Sequence, residues 1–458
     1  MRQAFSVPAP RHGALRALNY EPTVERVRRP KRGKVTVRLR ELVSDLGSGY
    51  ATVFARIDCD PTFGVELLSQ SDMFAAEPQG RFIRRDSMQH PERHEVHRWH
   101  VLIAGAGTLA PTELYGRAII ADGRLVGKSV GQDTLRIVFS RPEDDFSLFT
   151  YAYLASPTGL RALRSASYGT KILRIRKDIL AELPVPRADD QVVRRVATLI
   201  RRCVEQREIY LVELLSARKT LDELPEMREA HAMCAHRKAR AVAWSGPLPT
   251  LRAWNFASTG EALSLLRRSW SGRLGDCLEP EGLFKGGRLA RIPCSSPYGV
   301  DLLSQRDVFA IRPVPRRIQR PADATLAVTP GMLLLASRGQ MNEGALFGCV
   351  ERAVHMPPEA IVSEDITRLV PRQSILEGLY AFLSTVVGLA LVQSTAYGTS
   401  IPGMRMDLLA QLPVPPDSVL RRCARAVEVS TAARLSAADA EIEAIRIVEE
   451  EVLPAWLA

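Results

Sequence analysis

Phe63-Gly-Val-Glu-Leu-Leu-Ser-Gln-Ser-Asp-Met-Phe74 is a stretch that the chain repeats as Tyr298-Gly-Val-Asp-Leu-Leu-Ser-Gln-Arg-Asp-Val-Phe309. A second pair of stretches follows in the same order. Tyr168-Gly-Thr170 and Leu183-Pro-Val-Pro186 return as Tyr397-Gly-Thr399 and Leu412-Pro-Val-Pro415. So long a period indicates a duplicated domain rather than a solenoid of short repeats. Two copies of one domain suit a protein that recognises two things at a fixed separation.

Length and composition predict an ordinary globular protein. The chain has 458 residues, of which 46% are hydrophobic, and this length accommodates two domains of roughly 150 to 200 residues. It contains no run of about 18 apolar residues, which predicts no membrane contact, and its first residues lack the apolar core of a signal peptide. The seven cysteines form no close pair, which argues against disulfides and tetrathiolate zinc. We expect a cytoplasmic location.

The net charge favours an acidic partner. The chain carries a formal charge of +11, and its pI is about 9.5. An excess of this size is typical of proteins that bind nucleic acid through phosphate contacts. Many basic proteins bind nothing acidic, so charge alone leaves both interpretations open.

The order of patterns is the same in both copies and predicts an α+β fold. Short β-rich runs come first, and an apolar helix follows, at Phe146–Ala162 and at Ile375–Gln393. After each Leu-Pro-Val-Pro step, apolar residues spaced by three and four predict a long amphipathic helix. We predict two duplicated mixed α/β domains separated by a pair of long antiparallel helices. The boundaries are 15–187 for the first domain, 188–224 for its helix, 225–250 for a linker, 251–416 for the second domain and 417–453 for its helix.

Patterns that could hold a cofactor or a metal are weak. Gly105-Ala-Gly107 resembles a dinucleotide fingerprint, but Pro111 and Gly116 interrupt the helix that should follow. His90, His94, His97 and His100 have a spacing that would place them on one helical face, where they could bind zinc. The second copy has no matching histidines. No nucleophile or paired carboxylate leaves a local signature, so we expect no cofactor, no metal and no catalysis.

Polar and basic side chains on the turns are the candidate DNA-binding residues. Arg reads guanine, Gln and Asn read adenine, and Lys, Ser and Thr commonly contact phosphates. An exposed arginine is also often only solvated, and Gln70 and Gln305 could be scaffold residues. The candidates in the first copy are Gln70, Arg81, Arg84, Arg85, Thr170, Lys171 and Arg174; those in the second copy are Gln305, Arg306, Arg316, Arg317, Arg320, Arg338, Gln340, Asn342, Thr399, Ser400 and Arg405.

The ordered pair of motifs resembles the DNA specificity subunit of type I restriction-modification systems. The resemblance rests on Tyr168-Gly-Thr170 to Pro186 with its helix, on Tyr397-Gly-Thr399 to Pro415 with its helix, and on the β-Gly segments Val101–Gly116 and Leu333–Gly348. It implies two target-recognition domains that each read half of a split double-stranded DNA site. It also implies a subunit without activity of its own, which joins two adenine methyltransferase subunits and, for restriction, nuclease-translocase subunits.

Three other functions remain open. One is a metal-dependent nuclease that uses the histidine cluster. The second is a DNA-binding scaffold of a related defence system, and the third is a protein-binding scaffold whose basic faces are incidental.

Overall fold

The structure is a computed structural model that describes residues 17–29, 35–110, 112–235, 258–295, 297–341, 345–398 and 400–458. It divides into two compact units. Unit 1 comprises Met1–Glu208 with Ala433–Ala458, and unit 2 comprises Ile209–Ala432. Each unit contains one copy of the repeated sequence. The predicted α+β class with two duplicated mixed domains is confirmed.

Unit 1 begins with strands and short helices and ends on the first long helix. Its helices are α1 Pro22–Arg28, α2 Leu39–Leu42, α3 Asp145–Ala155, α4 Pro157–Ser165, α5 Lys177–Ala181 and the start of α6 Asp190–Asp222. Its strands are β1 Thr36–Arg38, β2 Val43–Leu46, β3 Gly64–Leu68, β4 Arg81–Arg84, β5 Val101–Ala104, β6 Ala106–Gly107, β7 Ala118–Ile120, β8 Ser129–Val130, β9 Thr134–Phe139, β10 Ser167–Tyr168, β11 Leu173–Ile175 and β12 Pro184–Pro186.

Unit 2 contains the rest of α6 and the second copy. Its further helices are α7 Pro225–Ala235, α8 Ser258–Ser269, α9 Gln305–Val308, α10 Leu376–Leu383, α11 Val386–Gln393, α12 Met406–Ala410, α13 Asp417–Arg422 and the start of α14 Ala424–Arg446. Its strands are β13 Leu278–Lys285, β14 Val300–Leu303, β15 Arg316–Ile318, β16 Leu333–Ala336, β17 Val350–Arg352, β18 Ile361–Val362, β19 Ile366–Pro371, β20 Ala396–Tyr397 and β21 Gly403–Met404. In unit 1, α14 is followed by a π-helical segment, Ile447–Val452, and by α15, Leu453–Leu457.

The duplication extends to the topology of the sheets. Each unit has a four-stranded sheet, ordered β2-β9-β5-β7 in unit 1 and β13-β19-β16-β17 in unit 2. Each also has a three-stranded sheet, β4-β3-β8 and β15-β14-β18, in which the last pair is parallel. The repeated stretch quoted at the outset forms the central strand of this second sheet. The sequence repeat therefore reports a repeated fold.

The sequence predicted one apolar helix in each unit, at Phe146–Ala162 and at Ile375–Gln393. Both predictions are wrong in one respect, because each segment is broken into two helices. In unit 1 the break falls at Ser156, whose hydroxyl accepts a hydrogen bond from Gly159 N at 3.0 Å. In unit 2 it falls at Thr385, which accepts from Gly388 N at 2.9 Å. A side-chain cap of this kind begins a new helix, and Pro157 suits its first position. Each unit thus has a helical elbow where the sequence predicted one helix.

Both elbows require glycine, and we expect substitution there to be costly. A Cβ on Gly159 would collide with the carbonyl oxygen of Tyr153, and one on Gly388 with that of Phe382. Gly159→Ala and Gly388→Ala should each lower the free energy of unfolding by roughly 3 kcal/mol, the upper range for forced overpacking. Denaturant unfolding measures this. Gly260→Ala in α8 meets no neighbour and is the control; an equal loss there would contradict the explanation.

The long helices run antiparallel where they meet inside unit 1. Arg195 Nη2 lies 3.0 Å from Glu451 Oε1, and Arg202 Nε lies 3.1 Å from Ser436 Oγ. Later residues of α6 therefore contact earlier residues of the second long helix. The apolar seam is buried with the rest of the unit 1 core. In unit 2, the Ser430 hydroxyl donates to the Tyr210 carbonyl at 2.9 Å. Each long helix contributes to both units, so no unit boundary coincides with a helix end.

The second long helix is less regular than its sequence predicts. Cys423 separates α13 from α14, and the π-helical segment precedes the final helix. The linker begins as the helix Pro225–Ala235, and its continuation to residue 250 lies outside the described residues, as does the predicted start of the second domain at 251.

A buried ionic cluster attaches both long helices to the body of unit 1. Arg207 Nη2 on α6 donates to Glu441 Oε2 on α14 at 2.8 Å, and its Nη1 lies 3.8 Å from Asp122 Oδ2. Asp122 also accepts two hydrogen bonds from the buried Arg124 guanidinium, at 2.9 and 2.7 Å. The Tyr151 hydroxyl donates to Glu441. These side chains are almost completely inaccessible to water, and we call them the ionic cluster.

Among the described residues no single helix is long and apolar enough to cross a membrane. The bent pair Gln373–Leu383 and Val386–Gln393 passes on length and composition only.

Candidate nucleic-acid interface

Each unit exposes a short hairpin made from the repeated Tyr-Gly-Thr motif. In unit 1, β10 pairs with β11 and matches Tyr168 to Arg174; in unit 2, β20 pairs with β21 and matches Tyr397 to Gly403. Gly169 and Gly398 have φ angles of +94° and +95°, a left-handed conformation that glycine adopts without strain. Tyr168, Ile172, Tyr397 and Ile401 are all exposed. We call residues 167–175 and 396–404 the tip hairpins.

A third strand supports the tip hairpin of unit 1. β6 pairs with β11 so that Ala106 lies opposite Arg174. The Tyr50 hydroxyl donates to Gly105 O at 2.7 Å and accepts from Ile175 N at 2.9 Å, and burial raises its pKa. The Gln70 amide donates to Ala106 O at 3.0 Å and accepts from Ala106 N at 3.2 Å. Both hydrogen bonds hold the Gln70 amide against β6, an arrangement that fits the scaffold alternative.

The corresponding region of unit 2 contains Arg338 and Lys285. Arg338 forms a β-bridge with Gly403, and Gly339 N donates to Pro402 O at 3.2 Å. Lys285 lies near Asp365 and Arg338; burial lowers the pKa of its amine, while Asp365 acts in the opposite direction. The buried Gln305 Oε1 accepts no hydrogen bond from any described residue.

A second exposed surface lies at the other end of β3 and of β14. Phe63 and Tyr298 occupy the same position of the repeat, and they are 75% and 73% exposed. Ile57 O accepts from Arg84 N at 2.9 Å in unit 1, and Ile292 O accepts from Gln319 N at 2.9 Å in unit 2. In each unit the aromatic ring is therefore accompanied by an exposed isoleucine at a sheet edge. We call these two surfaces the aromatic edges.

The aromatic edge of unit 1 borders an open cleft. Its volume is about 540 Å³, and Cys59, Phe63, Arg84, Arg85 and Asp86 line it. An exposed ring beside two guanidinium groups suits a nucleic acid, because aromatic faces stack on bases and arginines attract phosphates. β3, which begins beside Phe63, spans five residues and is therefore about 17 Å long.

The structure brings most of the predicted DNA-binding residues to these two kinds of surface. Thr170, Lys171 and Arg174 belong to the tip hairpin of unit 1. Arg84 and Arg85 lie at the end of β4 beside Phe63, whereas Arg81 lies at the other end of β4, across from Leu67. In unit 2, Arg338, Gln340, Ser400 and Arg405 lie on or near the tip hairpin. Arg317 and Arg320 lie on or just after β15 towards Tyr298, whereas Arg316 lies at the other end of this strand, across from Leu302. Arg306 is exposed on α9, next to Gln305, and Asn342 and Thr399 lie outside the described residues.

Several of the predicted arginines already have acidic partners. Arg84 and Arg405 each pair with the aspartate two residues later, Asp86 and Asp407, and these hydrogen bonds raise the pKa of both guanidinium groups. The other pairs are Arg81 with Asp58 at 3.5 Å, Arg174 with Asp133 at 2.7 Å, Arg317 with Asp301 at 3.0 Å, Arg320 with Glu359 at 2.6 Å and Arg338 with Asp365 at 3.8 Å. Arg85, Lys171, Arg306 and Arg316 are exposed.

Sequence reasoning did not identify Phe63, Tyr298, Asp133 or Asp365 as parts of the site. The two aromatic residues open the repeated stretch, so their signal was present in the sequence. Their exposure was not, because an aromatic residue beside a strand is more often buried.

The histidine cluster does not form the predicted helical face. Its segment consists of turns around a short 3-10 helix, Pro91–Arg93. Burial lowers the pKa of His100 to about 4, and burial also lowers the pKa of His94. His94 Nδ1 lies 3.1 Å from Val130 O. Within the described ranges, no three His, Cys, Asp or Glu residues are arranged to hold a metal ion.

No protein-family model matches the chain, and no curated protein matches it. Among solved structures it is similar to the type I restriction-modification S subunit from M. genitalium, with 13% identity, a TM-score of 0.32 and coverage of 92% of this chain and 96% of that chain. It is also similar to the HsdS subunit from Thermoanaerobacter tengcongensis, with 15% identity, a TM-score of 0.26 and coverage of 94% and 97%. A third similar structure describes complex assembly and conformational transition of the type I R-M system. Its identity is 15%, its TM-score is 0.26, and the match covers 94% of this chain and 98% of that chain. These are proteins of the class that the sequence resembles.

Proposed function

We propose that the chain is a non-catalytic DNA specificity subunit that recognises a bipartite, asymmetric double-stranded site. The observation that carries this proposal is that two units of the same topology expose the same two surfaces, while the polar residues around them differ. A duplicated scaffold with unequal side chains suits the reading of two different half-sites. The long helices, to which both units contribute, would fix the interval between the half-sites.

The turns of the tip hairpins and the side chains that flank them would have different roles in DNA binding. The turns at the ends of the hairpins, Tyr168-Gly-Thr-Lys-Ile172 and Tyr397-Gly-Thr-Ser-Ile401, differ at one position. Identical side chains cannot distinguish two half-sites, so these turns would contact what all DNA shares, namely the sugar-phosphate backbone. Base reading would then fall to the flanking side chains that differ between the units. This is the usual division between contacts that position a protein and contacts that specify a sequence.

The partners follow from the resemblance to type I specificity subunits. We infer that the chain recruits adenine methyltransferase subunits, two in number, in the cytoplasm, with restriction and translocase subunits as further partners. Exposed faces of the two long helices are available for them. The subunits of a related defence system could occupy the same positions.

Salt-dependent DNA binding tests the proposed class of function. Binding of the full chain to a mixed-sequence duplex should weaken steeply as salt rises, because each phosphate contact releases counterions. Affinity that does not depend on salt would favour a protein-binding scaffold and contradict the proposal. Cleavage of the duplex by the isolated chain, abolished by a chelator, would establish the nuclease instead.

A further inference from the structure

One arginine–aspartate pair occurs at the same place in both units, but its arginine comes from opposite strands. In unit 1, Arg174 on β11 lies opposite Ala106 on β6. In unit 2, Arg338 lies opposite Gly403 on β21. In the aligned copies Arg338 takes the place of Ala106 and Gly403 the place of Arg174. Each unit therefore has one arginine and one small residue across this bridge, with the two exchanged.

The aspartate, by contrast, stays in place. Asp133 and Asp365 occupy matching positions, each just before the long central strand β9 or β19. Arg174 Nη2 lies 2.7 Å from Asp133 Oδ1, and Arg338 Nη1 lies 3.8 Å from Asp365 Oδ1. The guanidinium group thus reaches the same aspartate from either strand. What the two units share is the position of the positive group, not the residue that supplies it.

Stability does not account for this arrangement. The Arg174 side chain is 31% exposed and that of Arg338 is 52% exposed, and ion pairs open to solvent contribute little. Both arginines lie at the base of a tip hairpin, next to residues that we expect to contact the DNA backbone. A guanidinium group has five N–H donors in a planar fork, and the aspartate faces only part of it. The remainder has the geometry to bind guanine O6 and N7.

We propose that Arg174 and Arg338 form equivalent guanine-binding sites, one in each unit, and that Asp133 and Asp365 are positioning residues that orient the two guanidinium groups. This inference rests on the proposed function and deepens it. It requires each half-site to contain a G·C pair at the step that faces the tip hairpin. The two half-sites then share this base pair and differ elsewhere.

Substitution of the arginine tests the assignment. In the full chain, Arg174→Ala should remove the preference for guanine at one position of one half-site, a loss of about 10- to 100-fold in discrimination. Affinity for sequences that already lack this guanine should change little. Arg174→Lys should keep the charge and still lose the preference, because lysine lacks the bidentate fork. Competition binding with duplexes substituted one base pair at a time gives these values.

Moving the arginine across the bridge gives the sharpest control. The double variant Ala106→Arg with Arg174→Ala copies the arrangement of unit 2 into unit 1 and should restore most of the guanine preference. The matched variant Lys171→Ser, which copies the turn of unit 2, removes a proposed backbone contact and should weaken binding to all sequences alike while the guanine preference stays. Preference for the other half-site reports whether each variant remains folded.

Three results would overturn the assignment. The first is that Arg174→Ala weakens binding to all sequences equally, which indicates a phosphate contact. The second is that Arg174→Ala leaves discrimination unchanged. The third is that the relocated arginine fails to restore the guanine preference in a folded variant. In all three the chain still binds DNA, so the proposed function survives. If the unaltered chain binds no DNA, both fail together.

Discussion

Glu441→Gln should lower the free energy of unfolding by about 3–5 kcal/mol, the range observed when one partner of a buried ion pair is removed. Glu441 Oε2 accepts a hydrogen bond from Arg207 Nη2 at 2.8 Å. Arg207 Nε and Nη1 are buried, and neither donates a hydrogen bond to a described residue. Glutamine leaves a buried guanidinium cation with Asp122 as its nearest carboxylate, 3.8 Å away. Few other single substitutions in unit 1 should cost as much.

Denaturant unfolding followed by far-UV circular dichroism measures this effect. The control is Glu443→Gln, which removes a partner of Arg446 on the same helix, where both side chains are about 40% exposed. Exposed pairs of this kind contribute little, so the control should unfold like the unaltered chain. Equal effects of the two substitutions would show that burial does not determine the strength of the ionic cluster.

The largest effect on recognition is expected from an exchange of the first domain. Residues 38–186 would be replaced by the matching segment of a chain with the same architecture and a different target. Binding to the original first half-site should fall by at least about 100-fold, because each mismatched base pair costs about 1–3 kcal/mol. Binding to the second half-site should persist. Selection of preferred duplexes before and after the exchange measures both.

The exchanged segment must keep the residues that contact the long helices. Asp122 and Tyr151 belong to the ionic cluster, and the Thr158 hydroxyl donates to Glu449 at 2.7 Å. A control variant that restores only these three residues in the incoming segment separates folding from recognition. Loss of both half-sites by a folded chimera, or of neither, would contradict independent reading by the two units.

The sequence predicted the fold well because the repeat acts as an internal comparison. Phe63–Phe74 and Tyr298–Phe309 identified the duplication, and the three- and four-residue spacing after Leu-Pro-Val-Pro identified the long helices. The elbows were missed because an apolar run remains apolar through a bend. Pro157 gave a partial signal in the first copy, whereas Thr385 and Val386 gave none in the second.

The candidate site could be predicted only in part, because its geometry depends on residues distant in sequence. Arg174 lies on β11 and Asp133 in the turn before β9, and their pairing follows from the register of β6, β11 and β9. Compared position by position, Ala106 against Arg338 and Arg174 against Gly403 are two unrelated differences. In the fold they are one exchange across a bridge. The exposure of Phe63 also depends on the sheet edge at which it lies.

Selection of duplexes from a random pool by the unaltered full chain tests the central claim most directly. We predict two short enriched elements of different sequence, separated by an interval of constant length with no base preference, and each containing a guanine. One continuous element, two identical elements or no enrichment would contradict a split, asymmetric target read by two unequal copies of one domain.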